Sequence, residues 1–183
     1  MKDNRRLVAL GLAAALSTAC DGHGASPDGR DVPHLTAAME ETPPTLQDAA
    51  TATYWRGESR EITLANGQFR GPSGERVELL RQFYRTGDLD ADGAEDAVVV
   101  LSATDAGEAS GFYVAVLRHL GTATITLGAE RLASAGEVQD LDLDGRRIVV
   151  DITRTRPGGQ SEPARVTYQV GAGALVKVSE QAR

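Results

Sequence analysis

The chain has 183 residues, of which 41% are apolar and only 4% aromatic, and a formal net charge of −7. Such a length suits one folded domain with appendages, and its core must be built mainly from Val, Leu, Ile and Ala. The acidic balance, with no basic run along the chain, excludes nucleic-acid binding by counterion release and reads as a solubility feature.

The chain opens with MKDNRRLVALGLAAALSTAC: a basic start (Lys2, Arg5, Arg6), an apolar stretch from Leu7 to Leu16, then small residues up to Cys20. This order reads as an export signal, too short to be a spanning helix. Cys20 is the only cysteine, so no intramolecular disulfide forms in any compartment. The stretch LSTAC resembles the lipobox of bacterial lipoproteins, with Ser17 where that pattern most often has Leu. The resemblance implies removal of residues 1–19, lipidation of Cys20, and anchorage to a bacterial membrane facing the periplasm or cell exterior. Asp21 resembles the enterobacterial signal for inner-membrane retention, which other bacterial groups do not share, so inner and outer membrane both stay open. Residues 20–44 are rich in Gly, Pro, Asp and Ser and are expected to be a flexible tether with a reach of roughly 25–30 Å.

Residues 45–183 are expected to form a single β-rich domain. TLQDAATATYW is expected to open it as a short helix, with Thr45 as N-cap and Asp48 closing a capping box. Tyr54 and Trp55 are read as anchors packing that helix on a sheet. Beyond residue 60 the punctuation is that of an antiparallel β protein. REITLANGQFRG reads as a hairpin about Asn66-Gly67. RVELLRQFYRTG, AVVVLSA, GFYVAVLRHL, TATITLG, EVQDLDLDGRRIVVDITR, ARVTYQV and ALVKVSE read as strands between Gly-rich or Asp-Gly turns. The expected fold is mainly β, an antiparallel sandwich or open barrel of eight to ten strands with the short N-terminal helix. AVVVL and FYVAVL, continuous apolar runs, should form a central hairpin covered on both faces.

The acidic segment GDLDADGAEDAVVV carries the clearest chemistry. Asp88, Asp90, Asp92, Gly93 and Asp96 stand at positions 1, 3, 5, 6 and 9 of an EF-hand-type loop, and the Ala94 carbonyl stands at position 7. Val99 replaces the bidentate Glu of position 12, so Asp96, water or another loop would close a calcium shell. A strand following such a loop resembles the calcium loops of FG-GAP repeats in integrin-like propellers. It is also similar to uncharacterised bacterial exported proteins in which the motif precedes a Gly-Ser-Gly loop and a FYxAVL strand, here EASGFYVAVL. That resemblance implies a β fold and a metal site but no activity. A propeller is excluded, because its blades repeat and one copy is present. The competing reading is a solvated Asp/Gly turn without an ion. Against it, no Lys or Arg lies between Thr86 and Leu117 to relieve the repulsion among seven acidic side chains. Magnesium fits less well than calcium, since it demands strict octahedral geometry.

DLDLDG, from Asp140 to Gly145, repeats the spacing but continues into Arg147 and Ile148. It is better read as a strand with Leu141 and Leu143 inward, ending in an Asp144-Gly145 turn. His23, His34 and His119 do not form a metal or catalytic set. Asp105 and Glu108 are expected in the far loop of the central hairpin, roughly 23 Å from the acidic loop at about 3.3 Å per strand residue. Two functional classes follow. The first is a non-enzymatic envelope lipoprotein whose calcium-stabilised β domain binds a protein or glycan. The second is a metal-assisted periplasmic or surface hydrolase.

Overall fold

The structure, a computed structural model, describes residues 42–56, 60–104, 111–156, 158–171 and 173–183. The export segment, Cys20, the tether up to residue 41, Asp105, Glu108 and the Trp55 side chain lie outside the described residues. A one-turn helix, α1 (Leu46–Ala49), is followed by eleven strands. They are β1 (Thr53–Arg56), β2 (Arg60–Thr63), β3 (Gln68–Arg70), β4 (Arg76–Gly87), β5 (Asp96–Thr104) and β6 (Gly111–Leu120), then β7 (Ala123–Ala133), β8 (Gly136–Asp144), β9 (Arg147–Thr155), β10 (Ser161–Gly171) and β11 (Ala174–Ala182). All ladders are antiparallel: a ribbon β1-β2, a five-stranded sheet β3-β4-β5-β6-β7 and a four-stranded sheet β11-β10-β9-β8. The mainly β, antiparallel architecture expected from the strand spacing is the one observed.

The period-two rule explains the layers. On β5 and β6, Val98, Val100, Val114 and Val116 face the four-stranded sheet and pack with Leu141, Ile148, Val150, Val166 and Tyr168. Their neighbours Val99, Leu101, Ala115 and Leu117 face the opposite way and pack with Ala49, Tyr54, Ile62 and Leu64. The apolar runs are therefore continuous because both faces are covered, as expected for the central hairpin. The Tyr54 hydroxyl donates to the Ala49 carbonyl at 2.7 Å, so this ring anchors α1 on the outer face.

Three local expectations are corrected. The Thr45/Asp48 capping box is present, but α1 lasts one turn. The Thr-rich, aromatic stretch that follows passes into β1, where β-branched and aromatic residues pack better. Asn66 and Gly67 do adopt positive φ (52° and 83°), yet the flanking strands are not ladder partners: β2 pairs with β1, and β3 with β4. Only the isolated bridge Ala65↔Gln68 closes that turn. The β8–β9 turn is one residue later than expected, with Asp144 opposite Arg147 and Gly145 at φ 58°. Leu141 is buried and Leu143 packs against the core, as the alternation predicts. The long strand β4 also carries a bulge: the register jumps from Leu79↔Leu101 to Tyr84↔Val99.

Candidate metal centre

The acidic loop joins β4 to β5. Leu89, wholly buried in the core between the two sheets, pins it from beneath. Alternation then leaves Asp88 and Asp90 on the other side of the backbone. Each carboxylate folds the next few residues around itself. Asp88 accepts from the N–H groups of Ala91 (2.7 Å) and Gly93 (3.2 Å), Asp90 from Asp92 (3.2 Å), and Asp92 from Ala94 (2.9 Å). Ala91 and Gly93 take positive φ, 65° and 91°, which coils the loop tightly. Glycine adopts that conformation freely, whereas Ala91 holds it at a cost of roughly 1 kcal/mol.

The coiling brings one oxygen each of Asp88, Asp90 and Asp92 within 4.8 Å of one another, a group that could hold a metal ion. Hard oxygen donors of this kind suit calcium. Ala94 contributes its N–H to Asp92. Asp96 stands apart from the three: it is the first residue of β5, is completely buried, and gives both oxygens to Arg118.

Arg118 is the residue that sequence reasoning missed. Its Nε lies 2.9 Å from Asp96 Oδ1, and its Nη2 lies 3.2 Å from Asp96 Oδ2 and 2.6 Å from Asp90 Oδ2. Its Nη1 is 3.3 Å from Asp92 Oδ2. The premise that no cation is at hand to relieve the repulsion is thus overturned. The window Thr86–Leu117 does lack a cation, but the β5–β6 ladder sets Ala97 opposite Leu117 and so carries Arg118 beside Asp96. A second guanidinium comes from the other sheet. Arg146, in the β8–β9 turn, donates to the carbonyls of Leu89 (3.3 Å) and Asp90 (3.0 Å).

The electrostatics follow from the geometry. The hydrogen bond from Arg118 holds the Asp90 carboxyl below the usual carboxylate range, and Asp96 and Asp90 raise the pKa of Arg118 above its ordinary value. Asp96, Arg118 and Asp90 form a charge-assisted network at the sheet end, with Asp92 at its solvent side. Asp88 is the member of the cluster that Arg118 does not reach. Asp140 and Asp142, in the lookalike segment, are exposed on β8; each accepts from the amide of the residue that follows it, and Asp140 lies 3.9 Å from the Arg85 guanidinium. His119 lies 3.6 Å from Asp48, at the start of α1, away from any metal set. No family model, curated protein or solved structure matches the chain.

Proposed function

We propose that the protein is a lipid-anchored, non-enzymatic module of a bacterial cell envelope, whose β domain is stabilised by calcium and binds a protein or glycan. The observation that carries the metal reading is the convergence of Asp88, Asp90 and Asp92 within 4.8 Å on a tightly coiled loop. These three would hold calcium, with the Ala94 carbonyl and water as further oxygens. The ion would supply positive charge to the loop and no reaction step. Arg118 already supplies part of that charge, so calcium would share or displace its contacts with Asp90 and Asp92, while Asp96 stays with the guanidinium. The anchoring part of the reading rests on the export segment that ends at the single Cys20.

Affinity in the range of extracellular modules, with a Kd of about 0.1 mM or weaker, suits a loop lacking the bidentate Glu. At about 1 mM calcium, a Kd of about 0.1 mM corresponds to about 1.4 kcal/mol of added stability. Thermal melting in chelator and in 1 mM calcium should therefore differ by several degrees. Identical melting curves would leave the loop as a purely arginine-bridged turn.

A further inference from the structure

The β6–β7 hairpin closes through Gly121 and Thr122, with Leu120 opposite Ala123 and Gly121 at φ 63°. So tight a turn leaves its flanking residues nothing to pack against, and Leu120 is 66% exposed, the highest value for a large apolar side chain among the described residues. Ile125, 36% exposed, stands opposite Arg118, two steps along the ladder, and alternation puts it on the same face of the hairpin as Leu120. Arg118 itself is bound by Asp96 and Asp90. From His119 to Ala129 the chain has no Asp, Glu, Lys or Arg, although these types make up 25% of its residues.

An uncharged tip carrying a bare leucine suits a surface that excludes charge and takes up apolar side chains, such as the headgroup boundary of a bilayer. The course of the chain favours that occupant. The folded part is entered at this same end of the sheet: Tyr84 donates to the Pro44 carbonyl at 2.7 Å, and Asp48, in the first turn of α1, lies 3.6 Å from Nε2 of His119, the residue before Leu120. The expected tether from Cys20 to Pro44, with a reach of roughly 25–30 Å, therefore leads from its anchor to the side of this hairpin. A tether that short keeps the bilayer at about millimolar effective concentration, so a contact too weak to capture free vesicles is enough to orient the domain. Ser134, exposed just past the other end of β7, stands about 35 Å from the tip at about 3.3 Å per residue.

We propose that the β6–β7 tip docks on a lipid surface, with Leu120 and Ile125 entering the headgroup boundary, and so sets the orientation of the anchored domain. The proposal rests on the anchored reading for the presence of a membrane, and the test supplies that membrane chemically. The full chain is coupled through Cys20, its single cysteine, to a maleimide headgroup in phosphatidylcholine vesicles whose brominated acyl chains quench nearby tryptophan. Wild type gives the Trp55 background. Leu120→Trp should lose about half of the fluorescence it adds to that background, as befits a side chain held about 5–10 Å into the headgroup boundary, and Ser134→Trp almost none. Amide exchange at Thr122 and Ala123 in wild type should slow several-fold on coupling. Leu120→Asp, at an exposed position, should abolish that slowing with a melting temperature near wild type. Equal quenching at positions 120 and 134, or equal exchange in free and coupled wild type, would overturn the proposal whether or not Cys20 is lipidated in cells, a question that fatty-acid labelling answers separately.

Discussion

Replacing Arg118 by Met isolates the part of the acidic loop that does not depend on any ion. The substitution keeps most of the side-chain length but removes the guanidinium from Asp96, whose side chain is 1% exposed, and from Asp90 and Asp92, which are 26% and 44% exposed. Breaking a buried pair from one side costs about 3–5 kcal/mol, because the remaining charge is left without a partner. Water reaches Asp90 and Asp92, so nearly all of the penalty falls on Asp96, and the lower end, about 3 kcal/mol, applies. For a domain of this size that lowers the melting temperature by roughly 10 °C. Adding Asp96→Asn to Arg118→Met removes the orphaned charge and should recover at least half of the loss, as a double-mutant cycle would measure. Melting in chelator, with each variant compared with wild type, is the assay. In calcium, the Arg118→Met protein should gain more than wild type, since the ion no longer competes with a guanidinium. A chelator-state shift under about 2 °C would refute the pairing of Asp96 with Arg118. Equal calcium increments in the two proteins would show that ion and arginine do not share oxygens.

Three further outcomes are expected. Arg154 holds the Glu180 carboxyl down to about 2 by hydrogen bonding, so its stabilising contribution is fully present above the ordinary carboxylate value and is lost as pH falls from about 4.5 to 2. Because the side chain is one-third exposed, about 1 kcal/mol is at stake, and Glu180→Gln should flatten the acid-unfolding curve over that interval; an unchanged curve would contradict the assignment. Metabolic labelling with a radioactive fatty acid should mark the wild-type protein and not Cys20→Ala, and a labelled variant would refute lipidation there. Screening against ester, phosphate, peptide and glycoside substrates should show no hydrolysis, whereas turnover abolished by one loop substitution would favour the hydrolase reading.

Much of the fold was legible because its strongest signals are local. The runs AVVVL and FYVAVL needed no partner to be read as a doubly covered hairpin, and the alternation of Leu141 and Leu143 identified β8. The spacing of Asp88, Asp90 and Asp92 likewise described one short coil. What was missed depends on register. Arg118 lies one residue beyond the acidic window in sequence, yet it is the neighbour of Asp96 across the ladder; aligning the central hairpin before counting charges would have found it. The partners of β2 and β3 were misjudged because a turn of the right residue type need not join the strands that flank it. The charged end of the four-stranded sheet also left a trace: period two from Ile152 places Arg154 on the core-facing side of β9, a local conflict with an apolar interior. Such conflicts gather where a structure departs from uniform packing.

Direct titration of calcium into the wild-type protein, the Asp90→Ala/Asp92→Ala protein and the Asp142→Ala protein tests the central claim. One weak site, with a Kd of about 0.1 to 1 mM, is expected in wild type and in Asp142→Ala, and none in the double variant. Absence of calcium-linked heat in wild type up to several millimolar, or an unchanged isotherm in the double variant, would contradict the account.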